Sequence, residues 1–157
     1  MKVDPGIVRG ENAMRAAIDG VIHRHESSML DGFADLSTDE AAFAVSLARR
    51  VVLEILHEVR PEGMTREDYN ELSHNIAEHG WVGYDAPTVR NFLEGLVAER
   101  HHPTGDVDAL RLLLTCAGYL VGGLTEEDEE WEDYLDEVEN RILFPDRGAE
   151  SQSSQPR

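Results

Sequence analysis

Lysine is nearly missing: Lys2 is the only one, and the rest of the 14 basic residues are arginines. Against them stand 32 acids, for a formal charge of −18. A field of that sign repels phosphate backbones and anionic lipid, which argues against nucleic acid and membrane surfaces and for basic partners. Cysteine is reduced to Cys116, which has no second thiol for an intramolecular disulfide. Aromatics make up 6%, so aliphatic side chains must pack most of a 157-residue chain that is 41% hydrophobic. Long apolar runs are also missing. The longest, residues 112–124, is broken by Thr115, Gly118, Gly122 and Gly123. No window approaches the roughly 20 apolar residues that cross a bilayer. Residues 1–6 do not begin an apolar targeting run, and a reducing cytoplasm is the expected compartment.

What is present is helical periodicity. Met14, Ile18, Val21, Ile22, His25 and Met29 share a face of a first helix expected over residues 5–30. A second is expected over 38–60, capped by Ser37-Thr38 and stopped before Pro61. Its stripe of Val45, Ala48, Val52, Ile55, Leu56 and Val59 is widened by Phe43, Leu47 and Leu53. Apolar character over so much of the circumference predicts a central position. Thr65 and Asp68 suggest a capping box for a third helix, with Tyr69, Leu72, Ile76 and Gly80 inward. Asp85 and Pro87 open a fourth, with Val89, Phe92, Leu93, Leu96 and Val97 inward.

A fifth helix, over 106–121, is the most apolar, with Arg111 and Thr115 as its polar edge and Gly122-Gly123 as its stop. A sixth, after Thr125 and reaching about Phe144, presents Leu124, Trp131, Tyr134, Leu135, Val138 and Ile142 on one side. The pattern predicts an all-α, irregular up-and-down bundle of five or six helices, with helices 2 and 5 central. One domain over 1–146 and a polar, disordered tail over 147–157 complete the expectation.

Glu-x-x-His occurs twice, as Glu54/His57 and Glu71/His74. This spacing puts a carboxylate and an imidazole on one helix face, as iron sites in helical bundles require. Stepping each residue by 100° turns both pairs away from the apolar stripes, towards solvent or a partner. His25 lies on the apolar face of the first helix, where a histidine bonded to a carbonyl or carboxylate is the plain reading and a ligand the sharper one. Residues 65–90 have the outline of a helix-turn-helix, but the turn is long and Glu94 and Glu99 stand beside Arg90 and Arg100. Cys116 sits among leucines, with nothing electropositive nearby to activate it. There is no Gly-rich phosphate loop, G-x-S-x-G elbow, C-x-x-C pair or calcium loop, and no cofactor is expected.

Two segments remain unusual. Residues 79–85 gather Trp81 and Tyr84 with two glycines, either as a plug for the bundle end or as a recognition surface. Residues 126–139 hold ten acids and no base. A helix so acidic repels itself and must be held by its apolar side. The expected role is a non-enzymatic interaction or regulatory module. Its candidate contacts to a basic protein are Trp81, Tyr84, Glu126, Glu127, Glu130, Asp133 and Glu137. The alternative is a small metal- or ligand-binding protein using His25 or the Glu54, His57, Glu71 and His74 pairs. A homodimer seamed along Met14, Ile18 and Val21 is also expected.

Overall fold

The computed structural model describes residues 5–23, 31–79, 84–98, 107–125 and 130–143. Among these residues the chain is all-helical, with no strand. The helices are α1 (Pro5–Ile22), α2 (Thr38–Val59), α3 (Arg66–His79), α4 (Ala86–Val97), α5 (Val107–Leu124) and α6 (Trp131–Leu143). A short 3₁₀ turn, Asp31–Phe33, precedes α2. The rest of the first helix expected to residue 30, and the tail over 147–157, lie outside the described residues.

The caps work as the sequence implies. Ser37 accepts from the Glu40 amide while the Glu40 carboxylate accepts from the Ser37 amide. Thr65 and Asp68 make the same reciprocal pair at 2.9 and 3.1 Å, so the shorter aspartate closes this box. At α4, the Asp85 carboxylate accepts from the Thr88 amide at 2.9 Å. Each exchange supplies a partner for an amide that the first helical turn leaves unbonded.

One apolar cluster draws residues from all six helices. Met14, Ile18, Val51, Val52, Ile55, Leu93, Leu96, Leu113, Leu114 and Leu135 are completely buried in it. α2 packs on α1, α4, α5 and α6; α5 packs on α1, α2 and α6; α3 and α4 pack chiefly on each other. Met14, Ile18 and Val21 are therefore covered inside the chain by α2 and α5, and no free apolar seam runs along them.

Other details depart from the periodicity. Gly122 and Gly123 do not stop α5, which continues to Leu124. Glycine permits a break but does not impose one, and here Gly122 lets the Ile22 side chain of α1 approach. Gly118 does so more closely: a Cβ there would lie 2.5 Å from Val21. Thr115 is no polar edge. It is buried, and its hydroxyl donates to the Arg111 carbonyl at 2.7 Å. Val59 and Val97, read as inward, end their helices and are 36% and 44% exposed.

Candidate functional site

α6 carries most of the acidic segment and its structure has two sides. Tyr134, Leu135, Val138 and Ile142 recur at helical spacing and are buried against α2 and α5. Glu130, Glu132, Asp133, Asp136 and Glu137 are exposed. Of these, Asp136 is bonded by Arg15; the other four make no ion pair among the described residues. Glu126 and Glu127 lie outside the described residues.

Three arginines fasten this helix from behind. Arg15 of α1 donates to both Asp136 and Glu139. Arg50 of α2 donates to the Ile142 carbonyl at 3.1 Å, meeting an acceptor that the last helical turn leaves open. Arg141 returns to α2, pairing with Glu58 at 3.1 Å and Glu54 at 3.8 Å. The Tyr134 hydroxyl donates to the same Glu58 carboxylate. Burial first, then this bond to Glu58, hold the Tyr134 hydroxyl well above its ordinary range, so it stays a donor.

Glu139 is the last of the ten acids in the acidic segment, but it is only 3% exposed. The signal was present: Glu139 follows Leu135 by four residues and precedes Ile142 by three, which is the inward phase. Its partner Arg15 could not have been named from spacing, because the contact joins residues 124 positions apart.

The other candidates do not converge. Trp81 and His25 lie outside the described residues. Tyr84 is half-buried and packs against the core. His57, Glu71 and His74 are exposed, with His74 turned to Glu78 at 3.2 Å. Glu54 is half-buried and engaged by Arg141. Among the described residues no three histidine, cysteine, aspartate or glutamate side chains gather as a metal site. In the α3–α4 pair, Arg90 donates to Asn70 at 3.0 Å. A shallow polar depression there is lined by Arg66, Tyr69, Arg90, Asn91 and Glu94.

Cys116 is fully buried, and that burial pushes its thiol up to about 12. A small cleft of about 180 Å³ opens between α2, α3 and α5, floored by Leu56, Val59, Leu72 and Leu120, with the Arg60–Asp68 pair at its rim.

No family model matches the chain, nor does any curated protein or solved structure. No helix of the described residues is long and apolar enough to cross a membrane.

Proposed function

We propose that this chain is a non-enzymatic interaction module whose α6 face binds a basic protein surface. The observation that carries the reading is the outer face of α6. Glu130, Glu132, Asp133 and Glu137 are exposed and lack an ion pair among the described residues, while Arg15, Arg50 and Arg141 fix the same helix from its other sides. An ordered strip of unneutralised carboxylates steers a cationic partner by long-range attraction and fixes its register by short-range pairing. It also avoids the ordering cost that a flexible acidic segment incurs on binding. The Glu-x-x-His pairs offer less to a metal, since His57 and His74 stand exposed and Glu54 is held by Arg141.

The test is affinity capture with the full chain and with a variant carrying Glu130→Gln, Glu132→Gln, Asp133→Asn and Glu137→Gln. The wild type should retain a partner whose contact surface is rich in lysine and arginine, and the variant should lose it. A partner retained equally by both baits would refute the assignment to α6. So would a retained partner with no basic surface.

A further inference from the structure

Glu139 occupies an unusual position for a carboxylate. One of its oxygens, Oε2, accepts from Nη2 of Arg15, which also serves Asp136. The other, Oε1, is buried and receives no donor from any described residue. The Glu11 carboxylate also approaches Arg15, at 3.9 Å, so that Glu11, Asp136 and Glu139 crowd one guanidinium. One guanidinium cannot neutralise three carboxylates, so the buried Glu139, with one oxygen left unpartnered, gains by taking up a proton beside Glu11. Glu11 and Arg15 stand one turn apart on the same face of α1, and Arg15 reaches α6 from it.

We propose that Glu11 and Glu139 hold one proton in common, and that this proton, backed by the Arg15 fork, is a pH-sensitive latch fixing α6 to α1. The principal helix neighbours of α6 are α2 and α5, and the tie to α1 runs through this polar cluster. The other charged groups on those neighbours have separate roles. On α2, Arg50 is bonded to the Ile142 carbonyl, and Glu54 and Glu58 are held by Arg141. On α5 the described charged side chain is Arg111, half-buried. On α6 itself, Asp136 competes for the Arg15 guanidinium.

Burial first, and the neighbouring Glu11 carboxyl second, push the Glu139 carboxyl up to about 8, against the pull of Arg15. The folded chain thus keeps a proton that the unfolded chain gives up in the ordinary glutamate range. The stability it contributes is full below that range and is lost as pH rises through about 8. Above it, two carboxylates face each other at a seam where one guanidinium is already shared with a third. The latch then opens and α6 loosens. This follows whether or not α6 docks a partner.

The experiment is a carboxyl-carbon NMR titration of the full chain, joined to hydrogen exchange of α6 amides at about pH 6 and about pH 9, corrected for intrinsic rates. The upper titration step of the pair should fall well above the glutamate range. α6 protection should drop at least about tenfold between the two conditions, while α3 and α4 hold theirs. In Glu139→Gln the amide donates to Glu11 with no proton to lose, and the drop should vanish. Glu139 titrating in the ordinary range, α6 protection indifferent to pH, or an unchanged drop in Glu139→Gln would each overturn the latch. Should Glu139→Gln fail to fold, the wild-type titration and Glu11→Gln still decide.

Discussion

Cys116 shows how a single residue can report on the whole. Its thiol is fully buried and held up to about 12, so almost none of the reactive thiolate exists at neutral pH. Iodoacetamide at about pH 8 should therefore leave the native chain unlabelled over a period that labels the denatured chain fully, and mass spectrometry reads the difference. Rapid native labelling would place Cys116 at the surface, against its setting. Arg15 makes a second residue-level prediction. It favours the ionised form of Glu139, so Arg15→Ala should cost more where that group is ionised. We expect a loss of about 1–3 kcal/mol at about pH 9 and a smaller one at about pH 6, by denaturant titration. An equal loss at both would mean that Arg15 acts through packing alone. These two residues also mark what was legible. The burial of Cys116 follows from its leucine neighbours in sequence. The Glu139 site does not, because it exists only where α1 and α6 meet, and nine neighbouring acids masked its inward phase.

At the scale of the helix, legibility follows the physics of periodicity and caps. All six helices were readable because apolar residues recur at 3.6-residue spacing and because Ser37, Thr65 and Asp85 announce their starts. Helix ends were harder. Val59 and Val97 keep the right phase, yet the helices stop there and leave them half in water. Gly122 and Gly123 read as a stop because glycine marks chain reversals, whereas here the missing Cβ serves packing against α1. Gly118 is the sharper instance. The atom nearest to an added methyl is the Cβ of Val21, which cannot swing away because it is fixed to the α1 backbone. Gly118→Ala should therefore reverse the usual gain in helix propensity and destabilise by about 1–3 kcal/mol. Denaturant unfolding with an unchanged slope checks it. A neutral or stabilising result would mean that α1 and α5 separate at little cost.

At the scale of the molecule, charge dominates. With −18 to distribute, the chain commits Arg15, Arg50 and Arg141 to fastening α6, leaving the outer carboxylates of that helix without described counter-charges. Two opposite consequences of salt follow, and together they separate the electrostatics of folding from those of docking. Like charges crowded on a folded surface repel one another more than they do in the expanded unfolded chain. Screening relieves that repulsion once the Debye length shrinks to about 10 Å, so moving from about 20 to about 200 mM sodium chloride should stabilise the fold. A gain of about 1 kcal/mol, or roughly 2–4 °C in the unfolding midpoint, is the scale expected for a chain of this size. The buried tie of Arg15 to Glu139 is shielded from the ions and should weaken far less than an exposed pair. Docking of a basic partner on Glu130, Glu132, Asp133 and Glu137 relies on the same unscreened field and should weaken over the same interval, mainly through a slower association rate. Calorimetry of the free chain and stopped-flow binding to the captured partner measure the two signs independently. A midpoint that falls with salt would show that attractive surface pairs, and not net repulsion, govern the fold. An association rate indifferent to salt would remove the electrostatic basis for assigning the partner to α6.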